Sequence, residues 1–402
     1  MTLANLEKIL FFLTILFLPT QLGRHFWPQF SFIYSLPIDY LSPTLYFWDI
    51  LAITLWTVFL IRGQHINRLA INLFYFFILT QSLSLLPFYS NSLNIGAGLV
   101  RLEQYTIAGL FGVYIASSKF KTRNLFWLLS LAVIGESLLG ILQFFKGGTL
   151  GLWILGERSF SLTTPAIAKF DFYGREFLRP YATFPHPNLL AAFLIITLTV
   201  LLPIRMTVAR MAVFLAAVVI LLTVSRAAIV AGLMSSLFLF KKRGRILLIL
   251  TVLILSPVLF TRFSSLIDYD SLTFIRREQL SKIAISLWLK SPILGVGLNN
   301  FIPQASDLLL AGPSRFLQPV HNIFLLALAE TGMLGFLGLL GMFGFPILRL
   351  VKLPTKNYQL KTIFSVWGVI IFLGLFDHYF LSLPQGYRLL FLIWGLSFSM
   401  LE

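Results

Sequence analysis

The chain of 402 residues contains no cysteine and has few charged side chains. Without cysteine it has no disulfide framework, no thiolate zinc site and no thiol nucleophile. Charged residues make up 11% of the sequence, whereas soluble domains carry about 25%. With 58% hydrophobic residues and 41 phenylalanines, the chain is also too apolar for a disordered protein. Although the formal net charge is +16, this composition excludes a nucleic-acid-binding domain, and a polytopic membrane protein remains.

Motifs for nucleotide or metal chemistry are absent as well. The pair Gly295-Val-Gly297 is not a nucleotide-binding loop, because it lacks the Gly-rich pattern that follows a strand. No Walker motif indicates ATP, and no Asp-rich pair indicates a metal-bound sugar nucleotide. We therefore expect neither a cofactor nor a metal in the reaction.

Apolar runs of membrane-spanning length recur along the chain. A bilayer core about 30 Å thick requires roughly 20 mostly apolar residues per helix. We predict an all-α membrane protein with about twelve transmembrane helices in a single integral membrane domain over residues 1–402. The first run, after Lys8, is interpreted as a membrane helix rather than a signal peptide, since no small-residue cleavage site follows it. The predicted spans are 6–22, 46–61, 70–87, 97–117, 125–145, 187–203, 207–224, 227–240, 246–261, 321–345, 362–380 and 387–400.

The distribution of Lys and Arg predicts the orientation of these spans. Basic residues of the short connections fall in every second connection, the pattern typical of cytoplasmic loops, so both termini are predicted to be cytoplasmic. The other basic residues lie outside, mostly in two long segments at about 146–186 and 262–320. Four of them are in or beside short turns: Arg24, Arg101, Arg226 and Arg388. A cationic external surface favours an anionic partner such as a lipid phosphate.

The second external segment contains an amphipathic helix. Over 271–290, apolar residues recur at the helical spacing of Leu280, Ala284 and Leu287, with Lys282 on another face. Such a helix lies along the membrane interface or caps a cavity.

Four groups of polar residues stand out on the predicted external face. Each contains Arg, His or Asn at or near a helix end, where side chains can reach a ligand in the headgroup region. They are Arg179 through Asn188, Thr223-Val-Ser-Arg226, Arg276-Arg277 with Pro292 through Phe301, and Gln318-Pro-Val-His321-Asn322 with Glu330-Thr-Gly332.

Each candidate also has a structural interpretation. Arg226 could bind an anion, or it could extend to lipid headgroups as Arg at helix ends often does. Arg276 and Arg277 could form a solvated helix face, but in a first turn they oppose the helix dipole, which an anionic ligand would relieve. His321 could accept a proton from an attacking hydroxyl or be an ordinary helix-start residue, and His186 could simply pack between its prolines.

Together the four groups resemble the O-antigen ligase and O-antigen polymerase superfamily of bacterial surface-polysaccharide assembly. The resemblance is strongest over 179–345 and rests on the order and placement of the motifs. They are Arg179, Phe184-Pro-His186-Pro-Asn188, Thr223-Val-Ser-Arg226, Arg277, Pro292 through Phe301, His321-Asn322 and Glu330-Thr-Gly332. One departure is that the stretch from Arg226 to Arg277 is shorter than in typical ligases.

The resemblance implies a glycosyltransferase C-like membrane enzyme whose catalytic region is 179–345, including the external loop 262–320. Its expected partners are a glycan donor on undecaprenyl diphosphate at the external face of the bacterial cytoplasmic membrane, a lipid, glycan or protein acceptor, and membrane lipids. The implied catalytic residues are His321, Arg277 and Arg226. The two arginines would bind the donor diphosphate, with Arg276 as the alternative to Arg277 and Arg179 as a further diphosphate ligand. Supporting residues are His186, Asn188 and Asn322.

Two other functions remain open from the sequence. A repeat-unit polymerase would share the donor and the chemistry and differ in the acceptor. A polysaccharide-lipid transporter would require ionisable residues within the spans and paired, broken halves. The candidate residues gather instead at one face, which favours an enzyme.

Overall fold

The computed structural model describes residues 2–86, 93–118, 122–172, 174–242, 244–246, 272–308, 317–352 and 358–399. Helices account for most of this part of the chain. They are α1 Leu3–Leu16, α2 Phe47–Ile61, α3 Arg68–Leu83, α4 Ile95–Ser117, α5 Thr122–Lys146, α6 Pro187–Leu201, α7 Thr207–Thr223, α8 Arg226–Leu239, α9 Leu272–Lys290, α10 Phe301–Ala305, α11 Ile323–Lys352, α12 Tyr358–Gly374, α13 Tyr379–Ser382 and α14 Pro384–Ser399.

Short antiparallel strand pairs occur in two of the connections, which the all-α prediction did not include. They are β1 Gly23–His25 with β4 Thr44–Tyr46, β2 Phe32–Ile33 with β3 Leu36–Pro37, and β5 Lys169–Phe172 with β6 Arg175–Leu178. These pairs give backbone N–H and C=O groups a partner in connections too long to be simple turns.

Eleven of the twelve predicted spans coincide with a described helix, and the twelfth, 246–261, lies almost wholly outside the described residues. Three boundaries were wrong by six residues or more, and one of them is the end of α11, which lies at Lys352 and not at 345. Helix α1 ends at Leu16 and not near 22, because a proline follows at Pro19. Helix α12 ends at Gly374 and not at 380, and the short helix α13 follows it.

Within the described residues, two helices are long and apolar enough to cross a membrane, judged by length and composition: Thr122–Lys146 and Ile323–Arg349. Other apolar helices in the described residues are 10–17 residues long. The chain is therefore a mostly helical protein with membrane-capable helices, and the count of twelve spans stays a prediction.

The chain divides into two compact units, each assembled from separate parts of the sequence. The first unit comprises Met1–Leu22, Lys119–Asp268 and Leu353–Leu373, and its core is the packing of α5 and α6 on α7. Helix α7 offers a row of small buried residues, Ala209, Ala212 and Ala216. Small side chains at helical spacing let neighbouring backbones approach closely.

The second unit comprises Gly23–Ser118, Tyr269–Lys352 and Gly374–Glu402, and its core joins α14 to α4 and α3 to α11. Helices α14 and α4 are in contact at Gly395 and Gly112, where a Cβ on Gly395 would overlap the Gly112 carbonyl. The predicted amphipathic helix is confirmed as α9. It packs on α11 with Leu280, Ala284 and Leu287 buried, while Lys282 is exposed.

Helix α11 is broken at Gly332, which the sequence analysis treated as the interior of one span. Gly332 has φ 60° and ψ −162°, a conformation essentially confined to glycine. The break interrupts the ladder of backbone hydrogen bonds and leaves groups on both sides of it that need new partners.

Candidate functional site

His321 lies just before α11 and is held from both ring nitrogens. Its Nδ1 is 3.3 Å from Asp377 Oδ1, and its Nε2 is 2.6 Å from the amide nitrogen of Gln318. Because the Gln318 amide donates to Nε2, the ring proton belongs on Nδ1, where it is donated to the carboxylate. Only 17% of the His321 side chain and 13% of the Asp377 side chain are exposed. Gln318 and Asp377 thus select the tautomer of the His321 ring in which Nε2 carries no proton.

The sequence analysis missed Asp377 as the hydrogen-bond partner of His321, and it did not place His378 next to this pair. The ring centroids of His321 and His378 are 5.1 Å apart, and His378 Nε2 is 3.9 Å from Asp377 Oδ1. An Asp-His pair directly after an apolar helix was the available signal. It was ambiguous, because such a pair at a helix end is also an ordinary interfacial anchor.

The Gly295-Val-Gly297 segment fills the break in α11. The Val296 and Gly297 N–H groups donate to the Ala329 and Glu330 carbonyls at 2.9 and 2.8 Å. In return the Met333 and Leu334 N–H groups donate to the Pro292 and Ile293 carbonyls at 2.8 and 3.1 Å.

Two glycines make this exchange possible. A Cβ on Gly295 would overlap the Glu330 carbonyl, and one on Gly332 would overlap the Ile293 carbonyl. Two of the predicted motifs are therefore parts of one backbone junction.

A buried arginine connects this junction to the His378 region. Arg101, only 3% exposed, donates from NH1 to the Ser382 carbonyl at 2.9 Å and from NH2 to Asn299 Oδ1 at 3.3 Å. Asn299, at φ 57°, donates to the carbonyls of Tyr40 and Ala97 at 3.0 Å each. Arg101 thereby ties the asparagine of the Gly-Val-Gly segment to Ser382, the last residue of α13, whose hydroxyl contacts His378.

Arg101 and Arg388, which the sequence analysis placed in or beside short turns, are both buried. Arg388 is fully buried, 3.2 Å from Asp49, and its guanidinium lies 4.6 Å from the centre of the Trp48 ring. Sequence position near a turn did not reveal this, since both partners of Arg388 are far from it along the chain.

In the first unit, Arg179 connects two of the predicted motifs. Its Nε donates to the Thr223 carbonyl at 2.6 Å, and its NH2 donates to Asn188 Oδ1 at 2.7 Å. Thr223 is the last residue of α7, Val224 adopts a left-handed conformation with φ 51°, and α8 begins at Arg226. Arg179 therefore anchors the turn that presents the half-buried Arg226.

The segment from Tyr181 to Thr183 is held from α5. Gln143 accepts from the Tyr181 and Ala182 N–H groups at 3.0 and 2.7 Å, and Glu136 accepts from the Thr183 N–H and hydroxyl at 3.0 and 2.8 Å. Glu136, within the predicted span 125–145, therefore makes structural hydrogen bonds. The Gln143 carboxamide and the Glu136 carboxylate thus provide hydrogen-bond acceptors for the backbone of an irregular segment.

His186 and Asn322 have capping positions at helix starts. His186 Nδ1 accepts from the Asn188 N–H at 3.1 Å, with Pro187 as the first residue of α6. Asn322 Oδ1 accepts from the Phe324 and Leu325 N–H groups at 2.9 and 3.0 Å at the start of α11. Asn322 thus fixes the helix start that carries His321.

The two predicted diphosphate arginines of α9, Arg276 and Arg277, are both half-buried near its start. Among the described residues, Arg277 and His321 are not joined by a hydrogen bond or ion pair. The structure brings together Arg179 with Asn188, and His321 with Gln318 and Asp377.

In a comparison with protein-family models, residues 211–340 match the O-antigen ligase family. A comparison with curated proteins finds no match. The matched region contains Arg226, Arg277 and His321, and it includes the Gly295–Gly332 junction. The family's members are glycosyltransferase-like ligases or polymerases, and the match supports glycan transfer in a bacterial inner-membrane protein. Residues 211–340 are therefore similar to the O-antigen ligase family, which supports the resemblance inferred from the sequence motifs.

Proposed function

We propose that this protein transfers a glycan from an undecaprenyl-diphosphate-linked donor to an acceptor hydroxyl at the external face of the bacterial cytoplasmic membrane. The observation that carries the proposal is His321, which is held by Gln318 and Asp377 and lies in the region that matches the O-antigen ligase family. A histidine oriented in this way is suited to removing a proton from an attacking hydroxyl.

In this reaction the acceptor oxygen attacks the anomeric carbon of the first sugar of the donor. The bond between the acceptor oxygen and the anomeric carbon forms. The bond between the anomeric carbon and the diphosphate oxygen breaks, and the diphosphate leaves with the electron pair. The acceptor proton passes to His321 Nε2. Asp377 stabilises the imidazolium that results, because its carboxylate accepts from Nδ1.

The leaving diphosphate gains negative charge that cationic groups must stabilise. Arg226 and Arg277 fulfil this role in the proposal, with Arg276 as the alternative to Arg277, since guanidinium groups bind phosphate oxygens through paired donors without a metal. Arg179 contributes by holding the turn before Arg226, through its bond to the Thr223 carbonyl. His186, Asn188 and Asn322 contribute by capping or bracing the helix starts that carry these groups.

In the proposed topology both termini are cytoplasmic and the site faces the periplasm or exterior. The acceptor is a lipid, a glycan or a protein. A repeat-unit polymerase would perform the same chemistry with a lipid-linked glycan as the acceptor, so analysis of the products distinguishes a ligase from a polymerase. Neither a nucleic acid nor a metal has a part in the step.

The test is a transfer assay with purified protein and undecaprenyl-diphosphate glycan, without nucleotide and with a metal chelator. Acceptor-linked glycan supports a ligase, and a ladder of lengthened lipid-linked glycan supports a polymerase. His321→Ala should abolish either product, while His65→Ala, at an exposed histidine elsewhere, should leave it unchanged. Absence of both products with authentic donor, together with movement of the lipid across liposomes, would overturn the proposal in favour of transport.

A further inference from the structure

Two histidines and an aspartate converge beside α11 and α13, and the proposed reaction uses only two of them. The ligand atoms of His321, Asp377 and His378 all lie within 4.8 Å of one another. All three side chains are at least four-fifths buried, with exposed fractions of 17%, 13% and 5%. His378 has no part in the transfer step.

The hydrogen bonds of His378 determine which of its nitrogens faces the carboxylate. The Ser382 hydroxyl donates to the His378 carbonyl at 2.9 Å, so its oxygen accepts from the ring Nδ1. In the neutral ring the proton is then on Nδ1, and the Nε2 lone pair faces Asp377 Oδ1 at 3.9 Å. A proton or a metal ion held between Nε2 and the carboxylate would stabilise this arrangement.

The donor atoms are close enough for one metal ion to bind all three after small side-chain rotations. His321 Nδ1 and His378 Nε2 are 3.3 and 3.9 Å from Asp377 Oδ1. In a tetrahedral zinc site with bonds of about 2.0–2.2 Å, neighbouring ligand atoms are about 3.3–3.6 Å apart, so the first distance fits and the second is slightly too long. The Ser382 contact to His378 is the kind of outer partner that orients a histidine ligand.

We propose that His321, Asp377 and His378 bind a divalent transition metal such as zinc, and that the bound metal inhibits glycan transfer. The ligand atoms are His321 Nδ1, Asp377 Oδ1 and His378 Nε2, with the fourth position open to water. Two imidazoles and one carboxylate form a donor set typical of zinc.

The inhibition follows from the tautomer of His321. In the transfer reaction Nδ1 carries the proton and Nε2 accepts one. A metal on Nδ1 moves the ring proton to Nε2, and a protonated Nε2 cannot accept the proton of an acceptor hydroxyl. Rotation of the Gln318 amide by half a turn exchanges its donor for its acceptor, so the same contact accommodates the new tautomer. This part of the inference rests on the proposed function, whereas metal binding does not.

Binding is measured first by titrating zinc chloride into the full chain in detergent, after removal of any histidine tag. The absence of cysteine excludes thiolate sites, so the background is low. We expect one zinc ion per chain and at least tenfold weaker binding in His378→Gln. The matched control His65→Gln, at an exposed histidine, should bind as the parent does.

Ser382→Ala keeps all three ligands and should weaken binding about tenfold or more by removing the partner that orients His378. Thermal unfolding without zinc establishes that each variant is folded, and added zinc should raise the unfolding temperature of the parent and of His65→Gln only. Equal zinc affinity in the parent, His378→Gln and Ser382→Ala overturns the proposal, and so does the absence of saturable binding.

The transfer assay then tests inhibition. Zinc should abolish transfer by the parent at concentrations that saturate the site, and a chelator should restore it. His378→Gln should transfer glycan as the parent does without zinc and require at least tenfold more zinc for the same inhibition. Transfer that is unaffected at saturating zinc overturns the inhibitory role. A parent that binds zinc but transfers nothing under any condition contradicts the proposed function and leaves the metal site standing.

Discussion

The guanidinium of Arg179 donates through Nε to the backbone carbonyl of Thr223 at 2.6 Å. Thr223 ends α7, and α8 begins three residues later at Arg226. The same guanidinium reaches Asn188 on α6. One buried side chain therefore sets where α7 ends, how the turn runs and where the proposed diphosphate ligand Arg226 begins the next helix.

Arg179→Ala should destabilise the protein by about 1.5–3 kcal/mol or more, since a hydrogen bond to a charged group contributes an amount in this range. Arg179→Lys should rescue little, because an ammonium group cannot reproduce the two-pronged contact. Thermal unfolding in detergent measures both. Arg175→Ala, at an exposed arginine of β6, is the control, and an equal loss of stability there would contradict the anchoring role.

Asp377→Asn should lower the rate of glycan transfer about 10²–10⁴-fold with little change in folding. The amide no longer stabilises the imidazolium or selects the Nδ1 proton of His321, and general base catalysis contributes a factor of that size. Rates at saturating donor measure the effect. The exposed Asp39→Asn should retain full activity, and unchanged turnover in Asp377→Asn would show that His321 acts without this carboxylate.

Arg277→Ala should reduce transfer about 10²–10³-fold or more, as removal of one charge-stabilising donor typically does. Arg276→Ala is the matched comparison, since the two arginines are adjacent on α9 and similarly buried. The same assay on both variants, with insertion checked by membrane fractionation, assigns the functional arginine. Full activity in both variants would remove α9 from the diphosphate site.

Gly332→Ala should destabilise the protein by more than about 1 kcal/mol, because alanine is strained at positive φ and its Cβ would overlap the Ile293 carbonyl. Gly344→Ala in the same helix is the control. A Cβ there meets nothing within 4 Å, so the substitution should be neutral or stabilise by up to about 1 kcal/mol. Similar unfolding temperatures for the two variants would refute the proposed junction.

Much of the helical framework could be predicted from local sequence. Apolar runs near the length of a bilayer crossing located the helices within a few residues, since burying a continuous apolar surface requires a regular hydrogen-bonded backbone. The predicted span 187–203 begins at the first residue of α6, and the spacing of Leu280, Ala284 and Leu287 indicated the buried face of α9.

The order of Arg, His and Asn motifs by itself identified the superfamily. That information is carried by residue type and spacing along the chain, so it needs no coordinates. The motifs indicated His321 and Arg277 as candidate residues, but they did not indicate which residues contact them.

The partners of these residues depended on the tertiary structure. Asp377 is 56 residues from His321 in sequence, and Arg388 is 339 residues from Asp49. No local pattern encodes such pairs, because they form only when separate helices pack. The break at Gly332 has the same origin: it is stable only because the segment from Pro292 to Gly297 supplies the missing hydrogen bonds. Local sequence therefore determined the helices and the chemical groups, and packing between distant segments decided which groups meet.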